Sequence, residues 1–254
     1  MRSFLENLIK EAGGQLRDYF RKDQKLIRLR KTSKEAAIKY DKLIDKFTVS
    51  QIRKNYPDHN ILSEESGFKR GNSNYLWIVD PLDGTSNFAN QNPLFSVCIA
   101  LMRDNKLILG AVYAPVIGEF YIGEKGKGAF LNGKRIKVSE ISEIGKSYLV
   151  YCEGKEKNRQ RFAKIINKIY SKVTDVRKIG SAGLETSWVA SGRCEAYFTT
   201  KIEPWDVAAG ILLVQEAGGE ISDFKGNPWR VKTSDLLFSN KKVHSKILDL
   251  ISDL

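Results

Sequence analysis

The stretch WIVDPLDGTSNF, residues 77–88, sets two aspartates three positions apart at the end of an apolar run. Tyr75, Leu76, Trp77, Ile78 and Val79 read as a buried strand, and Asp80, Pro81, Leu82, Asp83, Gly84 and Thr85 follow directly. Two carboxylates at one strand end converge if the chain turns between them. Pro81 fixes one φ angle and stiffens that turn. Gly84 permits a close backbone approach, and Thr85 suits the start of a helix as its cap. Exposed amides at such a start favour a phosphate oxygen. Hard oxygen ligands for a cation beside donors for an anion suit Mg²⁺, which prefers carboxylates, water and substrate phosphate. The competing reading is an ordinary acidic turn after a strand.

Two further segments carry acids in comparable settings. Leu62-Ser63-Glu64-Glu65-Ser66-Gly67 runs an apolar residue into an acidic loop, although adjacent glutamates are common on surfaces. Glu203-Pro204-Trp205-Asp206 precedes an apolar run and then Glu216-Ala217-Gly218-Gly219. Asp206 falls at a helix start, where an acid often serves only as a cap. Cap and ligand are compatible roles, because a capping aspartate has one oxygen left over.

The elements that must position these acids can be read from periodicity. Phe4, Leu8, Ala12, Leu16 and Tyr19 predict a helix over residues 3–21. Tyr40, Leu43, Ile44, Phe47 and Ile52 predict a second, closed by Tyr56-Pro57. Strands are expected at residues 61–62, 76–79, 96–101, 107–113 and 119–122, separated by turn signals such as Asn132-Gly133. The second half alternates: helical over 156–171, 183–191, 206–217 and 241–252, extended over 176–180, 195–199 and 236–239. The first part therefore mixes helices with antiparallel strands, and the second resembles a layered α/β unit. The polar residues 139–147 mark a boundary between an N-terminal α+β half (1–145), with most of the acids, and a C-terminal α/β half (146–254), with Asp206.

The chain has 254 residues, 42% apolar and 28% charged, in the range of a globular protein. No apolar run approaches the roughly 20 residues of a spanning helix, so no membrane role is expected and a cytoplasmic location follows by default. Cys98, Cys152 and Cys194 are widely spaced, and only His59 and His244 supply imidazole. A disulfide framework, a zinc cluster or a histidine-based mechanism has little material. The net charge of +12 suits an anionic small substrate, and the spread of lysines and arginines along the chain argues against a nucleic-acid partner. The densest basic run, residues 21–34, reads as a solvated face or as a basic loop near an anionic substrate.

LSEESG, WIVDPLDGTSNF and PWDVAAGILLVQEAGG, in this order and spacing, resemble the inositol monophosphatase family of lithium-sensitive, Mg²⁺-dependent sugar phosphatases. GKGAFLNGKRIKVS, residues 126–139, is similar to the family's hairpin between its halves. The resemblance implies a layered αβαβα sandwich of the sugar-phosphatase type and a homodimer. It implies that Glu64, Asp80 and the Leu82 carbonyl hold one Mg²⁺, and that Asp80, Asp83 and Asp206 hold a second. Glu64 would face a third, weaker ion, with Glu65 as a supporting acid and Mn²⁺ as a substitute metal. Gly84 and Thr85 would offer amides to the phosphate, and Thr85, paired with Asp41, would orient the attacking water. Gly180, Ser181 and Ala182 match the substrate loop. Arg193 would contact a second phosphate or a neighbouring subunit, or stand as a plain surface residue.

Two positions depart from the family pattern. Ile38 replaces a threonine ahead of Asp41, and Thr199 replaces the glutamate that holds ring hydroxyls in inositol-specific enzymes. The expected activity is hydrolysis of a small sugar or polyol phosphate such as inositol 1-phosphate by metal-activated water. Fructose 1,6-bisphosphatase or dual activity, a nucleotide 3′-phosphatase, histidinol phosphatase, and a non-catalytic RNA- or protein-binding relative are the alternatives.

Overall fold

The computed structural model describes residues 1–22, 30–152 and 159–251. Residues 23–29 of the basic run, residues 156–158 of the helix expected at 156–171, and residue 252 lie outside the described residues. Helix α1 (Arg2–Lys22) buries Leu5, Leu8, Ile9, Ala12, Leu16 and Phe20 on one stripe, the amphipathic spacing read from the sequence. Helix α2 (Arg30–Asn55) ends just ahead of Pro57 as expected but begins well before Tyr40. Its first turns include Lys34, Glu35, Ala36 and Ala37, good helix formers that leave little apolar periodicity to read.

Strands β1 (Asn60–Ser63), β2 (Gly67–Lys69), β3 (Tyr75–Asp83), β4 (Ser96–Arg103), β5 (Lys106–Ala114), β6 (Glu119–Glu124), β7 (Gly128–Leu131) and β8 (Lys134–Ile136) form one sheet. Their order is β2-β1-β3-β4-β5-β6-β7-β8. The short helix α3 (Thr85–Ala89) follows β3 directly. Alternate residues of β3 and β4 face opposite layers. Trp77, Val79, Ile99 and Leu101 pack under α1 and α2, while Ile78, Cys98, Ala100 and Met102 face the other way. Burial on both faces explains why these strands read as unbroken apolar runs.

The second sheet comprises β9 (Tyr148–Cys152), β10 (Asp175–Arg177), β11 (Ala196–Thr199), β12 (Glu220–Asp223) and β13 (Leu236–Ser239), in the order β10-β9-β11-β13-β12. Residues 139–147 run between the two sheets. Helices α5 (Ala182–Ala190) and α6 (Pro204–Glu216) fill the space between them, and residues 207–214 of α6 are all buried. A helix apolar all round belongs in such a layer. Helices α4 (Arg159–Tyr170) and α7 (His244–Ile251) cover the outer face, with Phe162, Ile165, Ile247 and Ile251 against Leu149, Phe198 and Leu237. The architecture is therefore the expected αβαβα sandwich. The sequence did not mark β2, β9 or β12 as strands; they have three, five and four residues.

Trp77 is 0% exposed and donates its indole N–H to His59 Nδ1 at 3.0 Å, joining β3 to the turn after α2. Trp77→Ala should cost about 3–5 kcal/mol. Urea unfolding that shows a loss below about 1 kcal/mol would contradict this placement.

Candidate metal and phosphate site

The site begins with an irregularity in β3. Asp80 stands opposite Cys98 and Asp83 opposite Ser96, so three steps along β3 match two along β4. Regular alternation would send Asp80 and Asp83 to opposite faces. The extra residue restores Asp83 to the face of Asp80, as a bulge does. Leu82 turns to the α1/α2 layer instead. Pro81 is tolerated here because a bulge leaves a backbone N–H without a ladder partner.

Asp83 is fully buried in hydrogen bonds. It accepts from the Ser181 hydroxyl, from Ser96 Oγ at 2.7 Å, and from the amides of Ala182 at 2.9 Å and Gly183 at 3.0 Å. Burial raises its pKa, and these bonds, Ser181 and Ser96 first, work against that rise. Ser181, Ala182 and Gly183 are thus drawn onto Asp83 at the start of α5, while the Gly180 amide bonds Glu185.

Gly84 takes φ 87°, and α3 begins at Thr85, so glycine rather than threonine occupies the cap position. A Cβ at Gly84 would lie 3.1 Å from the Gly180 carbonyl and 3.2 Å from that of Leu94. The Thr85 hydroxyl donates to the Leu82 carbonyl at 3.0 Å. Asp41 lies on α2 with Oδ1 buried and lacking a hydrogen-bond partner. One turn later Asp45, which the sequence reading passed over, accepts the Ser63 hydroxyl and ties α2 to the end of β1. Its signal was an acid four residues beyond Asp41 on one helix face.

Carboxylate oxygens of Glu64, Asp80 and Asp206 all lie within 4.8 Å of one another. Glu64 follows β1 directly. Asp206 sits in the first turn of α6 and accepts the Glu203 amide at 3.0 Å, so it serves as a cap and still presents the cluster with an oxygen. Burial, then repulsion from Glu64, Asp83, Asp206 and Asp41, pushes Asp80 well above the carboxylate range. Burial, then Asp83, Glu64 and Glu203, pushes Asp206 up to about 8. Burial, then the charges of Glu64, Glu65 and Asp45, pushes Asp41 up to about 8. Like charges in a low-dielectric layer are costly without a counter-ion. A hard divalent cation fits this oxygen-only donor set.

Arg193 pairs with Glu119 at 2.7 Å, and Glu119 also accepts the Tyr121 hydroxyl. Thr199 is 0% exposed, on the face of β11 shared with Tyr197. Sequence reasoning also missed Asn87, Ser96 and Glu185. Asn87 Nδ2 donates to the carbonyls of Leu94 at 2.6 Å and Ile179 at 2.9 Å.

Clustered carboxylates, a helix start at Gly84-Thr85 beside them and a five-layer αβαβα frame are the features of a metal-dependent phosphoric monoester hydrolase. The inositol monophosphatase family model matches residues 1–254. The chain is 36% identical over 222 residues to a Thermotoga maritima protein named fructose-1,6-bisphosphatase/inositol-1-monophosphatase, covering 87% of this chain and 84% of that one. It is 34% identical over 226 residues to Nus factor SuhB of Escherichia coli K12, covering 88% and 85%. The structure of inositol monophosphatase from Anabaena (Nostoc) sp. PCC 7120 superposes with a TM-score of 0.89 at 31% identity, over 99% of this chain and 95% of that one. The chain belongs to the inositol monophosphatase family.

The raised carboxyls make a pH prediction. Unfolded, they ionise near pH 4. Folded, Asp41 and Asp206 hold their protons to about pH 8. Between these values the native state binds more protons, so metal-free stability falls as pH rises. A divalent cation favours the ionised forms. In thermal melts, Mg²⁺ should therefore raise Tm more at about pH 8 than at about pH 5. Equal rises at both would contradict the cluster's role.

Proposed function

We propose that this site hydrolyses a small sugar or polyol phosphate with Mg²⁺ as its metal and Mn²⁺ as a substitute. The observation that carries the proposal is the convergence of Glu64, Asp80 and Asp206 beside the Gly84-Thr85 turn. In this reading Glu64, Asp80, the Leu82 carbonyl, Asp83 and Asp206 hold two or three ions. A bound divalent cation offsets the charge of the phosphate dianion and lowers the pKa of water. The amides of Gly84 and Thr85 donate to phosphate oxygens and hold the ester in line. The Thr85 hydroxyl, its proton committed to Leu82, has lone pairs that accept a hydrogen bond from the attacking water. Asp41, raised in pKa and with Oδ1 lacking a hydrogen-bond partner, would orient that water, with Glu65 adding negative potential. Neither histidine nor cysteine is needed as a nucleophile.

Relatives from Thermotoga maritima and Aquifex aeolicus carry both fructose-1,6-bisphosphatase and inositol-1-monophosphatase in their names, which supports testing both esters first. A phosphate-release panel of inositol 1-phosphate, fructose 1,6-bisphosphate, adenosine 3′,5′-bisphosphate and histidinol phosphate should show Mg²⁺-dependent turnover of at least one of the first two. Asp206→Asn and Asp83→Asn should each lower kcat by roughly 100-fold or more, the scale of a lost electrostatic contact in the transition state. Near-normal rates in either variant would sink the mechanism.

A second reading is favoured by the relatives named Nus factor SuhB. A regulatory RNA or protein partner is compatible with the +12 charge. RNA binding would weaken steeply with salt. The retained acids favour catalysis, since a cluster so costly in charge gains nothing in a binding-only role. A homodimer is the expected assembly, and light scattering that gives the monomer mass of 28.8 kDa at micromolar concentration would contradict it. The three free cysteines suit a reducing compartment such as the cytoplasm.

A further inference from the structure

We propose that Glu185 is a positioning residue, which fixes the loop ahead of α5 and thereby the seat of the Gly84-Thr85 turn. Glu185 is 0% exposed in the first turn of α5. Its Oε1 accepts two amides that precede it by six and five residues, Ile179 at 2.9 Å and Gly180 at 3.1 Å. It is not serving as a cap for its own helix. The first amides of α5 are already taken: Ala182 and Gly183 bond to Asp83, and Leu184 to Ser181 Oγ. The Glu185 carboxyl therefore serves the loop.

That loop needs external support. Gly180 sits at φ 84°, a left-handed conformation in which glycine carries no steric penalty, and its amide and that of Ile179 meet at Glu185. Left unpaired inside the protein, each amide would cost about 1–3 kcal/mol. The carbonyls of the same residues face the other way, where Asn87 Nδ2 reaches Ile179 at 2.9 Å and Gly180 at 3.4 Å. Asn87 lies on α3, two residues after Thr85. The loop is thus gripped by Glu185 through its amides, by Asn87 through its carbonyls and by Asp83 through Ser181.

The contact with the turn is direct. The Gly180 carbonyl and Ser181 Cβ would lie 3.1 and 3.3 Å from a Cβ at Gly84. A displaced loop would either press on Gly84 or open a gap behind it. Glu185 Oε2 has no hydrogen-bond partner, so half of a buried carboxyl is spent without local return. Burial first, then the charge of Asp83, pushes this carboxyl up to about 8 against the pull of the two amides. An acid kept at that cost to hold two loop amides fits a requirement of the site better than one of the helix.

The inference rests on the reading of Gly84 and Thr85 as the phosphate-binding turn, but its first test needs no turnover. Hydrogen exchange on the full chain with Mg²⁺ present would compare wild type, Glu185→Ala and Glu185→Gln. In Glu185→Ala, peptides covering 179–183 and 82–88 should exchange at least roughly ten-fold faster, with α1 unchanged. Glu185→Gln, whose amide oxygen can accept the same two N–H groups, should stay close to wild type. Faster exchange confined to 179–183, or a Gln variant as perturbed as the Ala variant, would overturn the proposal. If Glu185→Ala does not fold, Asn87→Ala releases the loop from its other side. It should accelerate the same two segments, and no change at 179–183 would overturn the proposal. On whichever ester the wild type hydrolyses, Glu185→Ala should raise KM and the inhibition constant of inorganic phosphate by roughly ten-fold each, the scale of one lost hydrogen bond. A lower Tm with both constants unchanged would leave Glu185 a purely structural residue. Absence of wild-type turnover on every ester would remove the functional reading while the exchange result still decides this one.

Discussion

One inserted residue in β3 sets the site. Without the bulge between Asp80 and Asp83, the second aspartate would point toward α1 and α2, into a layer of Phe20, Phe88 and Phe95. With it, both aspartates enter the middle layer between the sheets. There they divide the work. Asp83 is bound by Ser96 of the first sheet and by Ser181, Ala182 and Gly183 at the start of α5, so it is also the rivet between β3 and the middle helices. Asp80 accepts the Leu82 amide at 3.1 Å and otherwise faces Glu64 and Asp206. The first acid fixes geometry, and the second supplies unmet charge.

That unmet charge explains the construction around it. Four elements bring acids to the site: β1 through Glu64 just past its end, β3 through Asp80 and Asp83, α2 through Asp41 along its length, and α6 through Asp206 in its first turn. Their mutual repulsion would push the ends apart if the elements were not locked elsewhere. The locks are apolar and lie away from the acids: the stripe of α1, the wholly buried run of α6, and the residues that interleave between the sheets. The acids themselves are carried on short rigid links. Ser63 bonds Asp45 one residue before Glu64, Glu203 bonds Asp206, and Pro81 sits between Asp80 and Leu82. A functional centre that destabilises its own fold is a familiar compromise, and the cation that uses it also relieves it.

The sequence disclosed the parts of this arrangement that are local. The helical stripe of α1, the double-faced strands β3 to β6, the DPLDGT turn and the helix after PWD all follow from spacing and residue type. What it concealed depends on partners far along the chain. The bulge is defined only by pairing with Ser96 and Cys98. Glu185 looks like an ordinary acid in a helix until its bonds to Ile179 and Gly180 are seen. Arg193 has the chemistry to hold a phosphate, and only the fold shows that it pairs with Glu119 at the start of β6. Thr199 resembles a substrate contact by position, and only the pleat of β11 shows that it is buried on the middle-layer face it shares with Tyr197. Short strands such as β2 and β12 carry too few residues for alternation to register.

The same distinction bears on how one frame can serve relatives with different names. The proposed ester cleavage would draw on clustered acids that repel one another, so a change to one shifts the protonation and place of the rest. Substrate choice draws on the rim, where side chains answer to solvent and to few neighbours. A fold so arranged can vary its substrate by altering a few exposed residues, while the carboxylate centre stays fixed by the packing of all five layers.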